Sequence, residues 1–500
     1  MKSRAEGAPT PERWEKVTRG ADFFLPGHRG AGRKLPVVTA IWRARVAWSA
    51  PASRHVSCAC LVIPNFVVVK NDAFADLQLM PRPSVLAVTS ELPWPLDSGG
   101  HLRSFHLLRT LTDRFDVRLV VPTSGSDEAG RAALEAAGVS VHLVPVAPRK
   151  PLAEALKVVS GLLRREPYVM FGRHRRQAVA RALAAEAARI RPDVLYLDHL
   201  DSFVYADTVP DVPIVLDLHN VYSRLAARAA TDRAGLLRRP FLASQARLLA
   251  RQEQLAATRA HTIMAVSDDD ARYFAGFGGA RVVMVPNGVD CSAFASGMDA
   301  RPWPPSLLYV GALDWPPNAS AARVLATEIL PLVRQRVPAA HVTIVGKNPT
   351  PEVLALARTQ PHVEVAANVR DVVPYFRGAH LLAVPLESGG GTRLKILEAF
   401  ATGLPVVSTP VGCEGIDGVH GQHLLVAERA QFADAIVQAL LDPAAAQERA
   451  VRAQELARQQ YDWSAVGRRA IEAVACASAA VGRPAAVLNG LAMQTEIPIR

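Results

Sequence analysis

Short apolar runs alternate with longer stretches of helical spacing from residue 83 onward. Each run holds four to six residues and is followed by a polar or glycine-containing loop, as in strands buried on both faces of a parallel sheet. Helices rich in Ala, Leu and Arg stand between the runs. The predicted strands are 85–89, 117–121, 139–144, 194–197, 214–218, 262–266, 282–285, 307–310, 342–345, 363–366, 381–386 and 405–409. The alternation predicts the α/β class, with helices on both faces of the sheets.

The most informative stretch is residues 380–410, HLLAVPLESGGGTRLKILEAFATGLPVVSTP. An apolar run ends in Ser388 and three glycines, Thr392 stands at the N-cap position of a helix, and Gly403 ends that helix before another apolar run. This order predicts a βαβ unit whose glycine turn lies at the carboxyl edge of a parallel sheet, where open α/β sheets bind ligands. The free N–H groups of the helix start suit an anion such as a diphosphate.

Two polar residues on this helix, Lys395 and Glu398, lie one turn apart. The spacing can place an ammonium beside a phosphate and a carboxylate beside a neutral hydroxyl pair such as a ribose diol. For a pair taken alone, a surface ion pair is the more common explanation. The glycine triplet and the helix start in the same turn favour ligand binding here.

The run PLESGGGTRLKILEAFATGLPVVSTPVGCEGI resembles the donor-site segment of the family 4 retaining glycosyltransferases. That family has the GT-B fold, in which two Rossmann-like domains with parallel sheets face each other across a cleft. The resemblance implies that Glu398 holds the ribose of a nucleotide sugar. It also implies that the glycine loop and adjacent residues hold the diphosphate, namely Gly390, Gly391, Thr392, Arg393 and Lys395.

Two departures from the family pattern concern charged residues. Many members carry a second glutamate at the position of Gly390, and the nearest acid here is Glu387, three residues further upstream. Many also carry an arginine and a lysine in the loop after the strand at 307–310, where this chain has Leu313 and Asp314. The missing positive charge is expected from Lys395, Arg393 or Lys347.

The first half of the chain adds three candidates. Gly99 and Gly100 stand in a loop between a strand and a helix predicted at 101–113. A glycine pair alone fits a plain tight turn equally well, but the matching family loop faces the donor phosphates.

His219 follows the strand at 214–218, and Asp-Leu-His-Asn resembles the family segment whose histidine lies near the transferred sugar. A lone histidine after a strand is more often structural. His219 and Lys395 are the predicted catalytic residues, whereas Asp217 is expected to orient local backbone.

The resemblance divides the chain into an acceptor domain, 83–280, and a nucleotide-sugar donor domain, 281–460. A helix at 461–480 is expected to cross back to the first domain, and 481–500 is expected to be a tail. Residues 1–82 have no sustained periodicity and are predicted to be a disordered extension or a segment ahead of the natural start at Met80. Their apolar patch, 56–69, is interrupted by Pro64 and is shorter than a membrane span, with a signal-like or anchoring segment as the alternative.

The charge distribution and the cysteine content limit which classes of binding partner are expected. The net charge is +11, but residues 1–80 carry 12 Lys/Arg against 6 Asp/Glu, and no recognition helix or RNA-binding aromatic motif accompanies the rest. Nucleic acid is therefore not expected. Five scattered cysteines form neither a disulfide framework nor a zinc motif, so no metal and no cofactor are predicted and a reducing cytoplasm is the expected compartment.

These observations predict a metal-independent retaining glycosyltransferase of the hexosyltransferase type. Its donor is a nucleotide-diphosphate sugar, and its acceptor is a saccharide or a lipid-linked saccharide in polysaccharide or glycolipid biosynthesis. A basic region at 162–191 is either a solvated face or a peripheral contact with the inner membrane surface. The alternatives are a nucleotide-sugar epimerase or phosphorylase on the same fold, and a non-catalytic sugar-nucleotide sensor.

Overall fold

The computed structural model describes residues 60–63, 66–69, 82–125, 127–148, 154, 157–158, 160–161, 165–231, 238–295, 304–389 and 393–479. The chain forms two compact units, Met1–Leu79 and Met80–Arg500. In the first unit, β1 (Cys60–Ile63) and β2 (Phe66–Val69) pair antiparallel, within the segment predicted to be an extension. The remainder of that segment and the predicted tail lie outside the described residues. The second unit contains both parallel sheets.

The first sheet of the second unit has seven parallel strands in the order β5-β4-β3-β6-β7-β8-β9. The order reverses between β3 and β6, so a crevice for ligands is expected where these two strands end. Every residue of β6 and β7 is buried, because helices cover both faces. The strands are β3 (Ser84–Val88), β4 (Asp116–Thr123), β5 (Ser140–Pro145), β6 (Val194–Asp198), β7 (Ile214–Leu218), β8 (Thr262–Ala265) and β9 (Arg281–Met284).

Helix α1 begins two residues earlier than predicted. The side chain of Ser98 accepts a hydrogen bond from the N–H of His101, so Ser98 is the N-cap, and Gly99 and Gly100 form the first turn instead of a loop. The helices of this domain are α1 (Gly99–Leu111), α2 (Glu128–Ala136), α3 (Gln177–Ile190), α4 (His199–Ser202), α5 (Tyr222–Thr231), α6 (Arg238–Arg259) and α7 (Asp268–Ala275), with a π-helical turn Tyr168–Gly172 and a 3-10 turn Phe203–Thr208.

The second sheet has six parallel strands in the order β12-β11-β10-β13-β14-β15. Its order reverses between β10 and β13. The sequence pattern missed β15, because two residues are too few to show a period. The strands are β10 (Ser306–Val310), β11 (His341–Gly346), β12 (Val363–Ala367), β13 (Leu381–Val384), β14 (Val406–Ser408) and β15 (Leu425–Val426).

Helix α13 follows β13 and starts at the reversal point of the second sheet. Arg393, not Thr392, is its N-cap residue, and Gly403 ends it in the left-handed conformation with φ +71°, as predicted. The helices of this domain are α8 (Cys291–Phe294), α9 (Pro316–Val324), α10 (Leu330–Arg336), α11 (Pro351–Thr359), α12 (Val373–Gly378), α13 (Leu394–Thr402), α14 (Phe432–Leu441) and α15 (Pro443–Leu456). Shorter turns are Leu325–Ile329, Val411–Cys413, Arg429–Gln431 and Ala457–Tyr461.

The last described helix, α16 (Trp463–Ala479), packs against helix α1 of the first domain. The Trp463 indole stacks on the His106 ring with centroids 4.5 Å apart. A Cβ at Gly467 would lie 2.2 Å from Cγ2 of Thr110, so the backbones meet closely there. The chain therefore returns to its first domain after building the second. Within the described ranges, no helix is both long enough and apolar enough to cross a bilayer.

Candidate functional site

The N-termini of helices α1 and α13 face each other between the two sheets. A Cβ at Gly99, the first residue of α1, would lie 3.1 Å from Cδ1 of Leu394, the first residue of α13. Because the first N–H groups of a helix have no partner within it, both helices direct positive partial charge into this cleft. The close approach of Leu394 explains why glycine stands at position 99. The two helix ends make the cleft suitable for an anion.

Lys395 lies in the first turn of α13. Its Nζ donates to Oδ1 of Asn318 at 3.1 Å and to the Tyr309 hydroxyl at 3.3 Å, and it lies 4.4 Å from the centroid of the Tyr309 ring. A Cβ at Gly311 would come within 3.1 Å of that Nζ, so the glycine at the end of β10 makes room for the lysine. Burial, followed by repulsion from Arg393, lowers the pKa of Lys395 to about 7.

Glu398 lies one turn further along the helix and is half-buried. Burial raises the pKa of its carboxyl group to about 7, only partly opposed by Lys395. In the described part of the chain, no ion pair joins Glu398 to Lys395, whose ammonium is held by Asn318 and Tyr309 instead. The surface ion pair considered from the sequence is therefore not formed, and Glu398 lies in the middle of helix α13, one turn beyond Lys395.

Arg393, the N-cap residue of α13, lies beside Gly389, the first glycine of the loop. Its buried guanidinium donates to the carbonyl of Val411 at 3.2 Å, and its Nη1 would lie 3.4 Å from a Cβ at Gly389, where φ is +124°. Burial lowers the pKa of Arg393. The three predicted cradle residues, Gly390, Gly391 and Thr392, lie outside the described residues, so their predicted role stays a prediction.

Lys347, a predicted source of positive charge for the diphosphate, contacts the other domain. Lys347 lies in the turn after β11. Its Nζ donates to the backbone carbonyl of Asp97 at 2.8 Å and lies 3.4 Å from Oδ2 of the Asp97 side chain. Asp97 immediately precedes the N-cap of α1. Lys347 therefore bridges the cleft in this structure, a contact between residues 250 apart that no local pattern indicates.

A second bridge across the cleft comes from Arg228 on helix α5. Its Nη1 donates to the carbonyl of Gly389 at 3.1 Å, and its Nη2 lies 3.3 Å from Oε1 of Glu414. Arg228 resembles the many other arginines of its helical region, so the sequence alone did not single it out. The bridge connects the first domain to Gly389, the first glycine of the loop.

His219 lies at the end of β7, as predicted, and is buried. Its Nε2 lies 3.0 Å from Oδ1 of Asp198 and 3.2 Å from Oδ2 of Asp217. Burial lowers the pKa of His219, but the two carboxylates outweigh burial and raise it to about 8. The imidazole is therefore a buried cation at neutral pH.

A second histidine, His199, lies against the first with its ring plane tilted by 33°. The ring centroids of His199 and His219 are 3.5 Å apart, and Nδ1 of His199 hydrogen-bonds the Tyr222 hydroxyl at 2.7 Å. Burial and the charge of His219 lower the pKa of His199 to about 4. A Cβ at Gly100 would lie 3.7 Å from Nε2 of His199, so a neutral imidazole lies beside the start of α1. The sequence reasoning missed His199, although it follows an aspartate at a strand end.

Asp217 does not orient local backbone as expected from the sequence. Its carboxylate receives hydrogen bonds from the fully buried guanidinium of Arg103, with Nη2 to Oδ1 at 2.6 Å, and from the hydroxyl of Tyr196 at 3.2 Å. Arg103 also donates to the carbonyl of Pro286 at 2.9 Å. Burial opposes ionisation, but the positive charges of Arg103 and His219 hold the pKa of Asp217 well below its usual range. Helix α1 thus anchors an acid that contacts His219.

Asp198, His199 and His219 each offer one possible metal-ligand atom, all within 4.8 Å of one another, and they form the one such cluster found in the described ranges. Nε2 of His219 already lies within hydrogen-bond distance of two carboxylates, an arrangement that favours a protonated ring over a metal ligand. Metal independence stays a prediction.

Two Rossmann-type sheets with ligand-binding edges turned toward a common cleft define the GT-B fold. The solved structure of Anabaena HepE in complex with UDP-glucose matches with a TM-score of 0.55 and 16% identity, covering 79% of this chain and 99% of that one. Sucrose-phosphate synthase from Thermosynechococcus elongatus matches with a TM-score of 0.58 and 16% identity, covering 80% of this chain and all of that one. At this identity the likeness shows the fold, which confirms the predicted fold class.

Two family models cover most of the second unit. Residues 99–293 match "Glycosyltransferase Family 4" and residues 304–442 match "Glycosyl transferases group 1". Phosphatidyl-myo-inositol mannosyltransferase of Mycobacterium tuberculosis is 30% identical over 44% of this chain and 61% of its own length. Glycogen synthase of the same organism is 28% identical over 51% of this chain and 61% of its own length. Both domains therefore match family models of glycosyltransferases, and the chain spans about three fifths of these two relatives.

Proposed function

We propose that the chain is a retaining glycosyltransferase that moves a sugar from a nucleotide-diphosphate donor to an acceptor hydroxyl in polysaccharide or glycolipid biosynthesis. One observation carries the proposal. The first two turns of α13 carry Lys395 and Glu398, and the helix starts at the reversal point of the second sheet, opposite Gly99 and the start of α1. The HepE complex with UDP-glucose supports a nucleotide-sugar donor for this fold.

On the donor side, the leaving diphosphate gains negative charge as its bond to the sugar breaks. Lys395 and the N–H groups at the start of α13 would stabilise that charge more strongly in the transition state than in the ground state. A phosphate beside Lys395 also raises its pKa from about 7, so the bound donor keeps the lysine charged. Glu398 would accept hydrogen bonds from the ribose hydroxyls.

On the sugar side, the cleft is bounded by the His199 and His219 pair. A neutral His199 can accept or donate a hydrogen bond at Nε2, because its Nδ1 is held by Tyr222. The positive charge of His219 lies between the carboxylates of Asp198 and Asp217, which hold the imidazole in a fixed position beside the site. The retaining outcome follows from the family resemblance and would be read from the anomeric configuration of the product.

Two contacts hold the domains together over the site, Lys347 with Asp97 and Arg228 with Gly389. Closure of this kind excludes water and limits hydrolysis of the donor. Both contacts join the two domains at the cleft.

A cytoplasmic location with peripheral contact at the inner membrane is part of the proposal. It is supported by the basic segment ahead of helix α3, in which Arg173 and Arg175 are exposed. Exposed arginines of this kind attract anionic lipid headgroups. Sedimentation with anionic vesicles would test this part separately from the reaction.

Product formation separates the proposed function from its alternatives. The chain would be incubated with UDP-, GDP-, ADP- and dTDP-sugars, with and without saccharide acceptors and inorganic phosphate. A transferase releases nucleoside diphosphate and forms a glycoside only with an acceptor. Conversion of the donor sugar without acceptor would indicate an epimerase, a requirement for phosphate would indicate a phosphorylase, and binding without turnover would indicate a sensor.

Glu398→Gln is expected to weaken nucleoside diphosphate binding about tenfold, because an amide replaces a charged acceptor for the ribose hydroxyls. Calorimetry with UDP, GDP and ADP measures the loss. The exposed Glu364 on β12 provides a matched control, and Glu364→Gln should bind as the parent does. An analogue lacking the 2′-hydroxyl should lose affinity for the parent protein and much less for Glu398→Gln; equal losses in both would place the ribose elsewhere.

Nucleoside diphosphate affinity is expected to peak near pH 7. As the pH falls below about 7, Glu398 becomes protonated and stops accepting hydrogen bonds as a carboxylate; as the pH rises above about 7, Lys395 becomes neutral and attracts phosphate less. Lys395→Ala should remove the alkaline decline and Glu398→Gln should remove part of the acidic decline. Comparison of the variants separates these groups from the ionisation of the nucleotide itself. A profile unchanged by both substitutions would contradict the assignment.

A further inference from the structure

A cavity of about 260 Å³ lies between the two domains on the side where the first sheet ends in β7, β8 and β9. It is lined by the residues that follow His219, beginning with Asn220, by the start of helix α7 and by the loop Glu414 to Asp417 of the second domain. Arg228, which reaches the Gly389 carbonyl, forms part of its wall. Its lining thus includes Asn220, which directly follows His219 in the chain, and Arg228, which hydrogen-bonds the carbonyl of Gly389.

The charged groups of the cavity leave an excess of carboxylate. Its three arginines already have acidic partners: Arg224 and Arg272 pair with Asp269, and Arg228 pairs with Glu414. Three further lining carboxylates have no ion pair in the described part of the chain, namely Asp268, Asp270 and Asp417. Three basic and five acidic side chains give a formal charge of −2.

The helix end at this cavity is also already matched with negative charge. Ser267 caps helix α7 by accepting from the N–H of Asp270, and the first turn of the helix carries three aspartates. The positive helix end is therefore compensated within the protein. An additional phosphate here would face carboxylates instead of unpaired donors.

The volume fits a small polar group. Pockets for drug-sized ligands span roughly 300–1,000 Å³, so a cavity of about 260 Å³ suits one sugar ring and not an extended lipid. Carboxylates accept hydrogen bonds from hydroxyls, arginines donate to hydroxyl oxygens, and the Asn220 amide does both. This mixture suits a polyol without charge.

We infer that the acceptor is a neutral saccharide whose reacting sugar ring occupies this cavity, with Asp270 among the groups that accept its hydroxyl hydrogen bonds. The inference rests on the proposed function and names its acceptor class. It favours a neutral glycan terminus over a phosphorylated lipid headgroup, whose charge the cavity would repel.

The test combines a ligand-binding measurement with substitutions of matched size. Saturation-transfer NMR would be recorded at about pH 8, where Asp270 is ionised although burial raises its pKa to about 6, with UDP present. The probes are the neutral methyl glycosides of glucose, mannose and galactose, and the anionic myo-inositol 1-phosphate. Asp270→Asn and Asp417→Asn remove carboxylates from the cavity, and Asp434→Asn removes an exposed one elsewhere as a control.

We expect at least one neutral glycoside to bind, with Kd raised about tenfold by Asp270→Asn and unchanged by Asp434→Asn. Binding of the anionic probe should be weaker, and removal of a cavity carboxylate should strengthen it. Binding of the anionic probe alone, no binding of any glycoside, or an Asp270→Asn affinity equal to the parent value would overturn the inference. Calorimetry with UDP, GDP, ADP and dTDP tests the donor site separately. If none binds, the proposed function fails, whereas nucleotide binding without glycoside binding removes only the acceptor inference.

Discussion

Lys395→Ala is expected to lower turnover about a hundredfold, the usual order for removing one group that stabilises charge in a transition state. The structure gives the reason, because the ammonium is held by Asn318 and Tyr309 at the N-terminus of the helix that faces Gly99. Initial rates at saturating donor and acceptor measure the effect. Donor affinity should fall as well, but less than turnover, since the charge to be stabilised grows during the reaction.

The stability of the same variant separates a catalytic effect from misfolding. The depressed pKa of Lys395 means that the folded state disfavours the charged form, so loss of the ammonium at pH 7 removes an unfavourable burial. The melting temperature should therefore not fall. Arg336→Ala, which removes an exposed ion pair with Asp434, should leave turnover unchanged. Turnover of Lys395→Ala within a factor of about two of the parent value would exclude the lysine from the mechanism.

Arg103→Met is expected to lower the free energy of unfolding by about 3–5 kcal/mol, since it leaves the buried carboxylate of Asp217 without its cationic partner. Both side chains are fully buried, and the pair links helix α1 to strand β7 and to the carbonyl of Pro286. Urea unfolding followed by circular dichroism measures the change.

Asp217→Asn provides the second side of a double-mutant cycle with Arg103→Met. The double variant should be less destabilised than the sum of the single variants, because neither buried charge is then left alone. A loss below about 1 kcal/mol for Arg103→Met would show that the pair contributes little and that water reaches Asp217. Since Asp217 also contacts His219, activity should fall in both single variants.

The fold was predictable because its signals are local and repeated. Apolar runs such as the one that forms Ile214–Leu218 are buried on both faces, so side-chain composition alone marks them as strands of a parallel sheet. Gly403 ended its helix as expected, since a left-handed residue at a helix end favours glycine. Two-residue β15 was missed, and the first turn of α1 was assigned to a loop because glycine disfavours a helix in isolation. In the structure the Ser98 cap favours the helix, and the close approach of Leu394 favours glycine at position 99.

The positions of the candidate residues were predictable in part, whereas their roles stay predictions. Lys395 and Glu398 lie on the helix of the predicted βαβ unit, and His219 directly follows strand β7. His199 directly follows Asp198 at the end of β6, just as His219 follows the end of the neighbouring strand β7. This repeated strand-end histidine was visible in the sequence but was not interpreted as part of the site. By contrast, the partner of Lys347 lies 250 residues away in the other domain, and such a contact depends on how two folded domains dock.

The central claim is that the start of helix α13 binds the diphosphate of an activated sugar. A crystal structure of the chain with a bound nucleoside diphosphate tests it most directly. The claim predicts phosphate oxygens within hydrogen-bond distance of Lys395 Nζ and of the N–H groups at the start of α13, with the ribose hydroxyls on Glu398. A nucleotide bound away from this helix end, with Lys395 still held only by Asn318 and Tyr309, would contradict it.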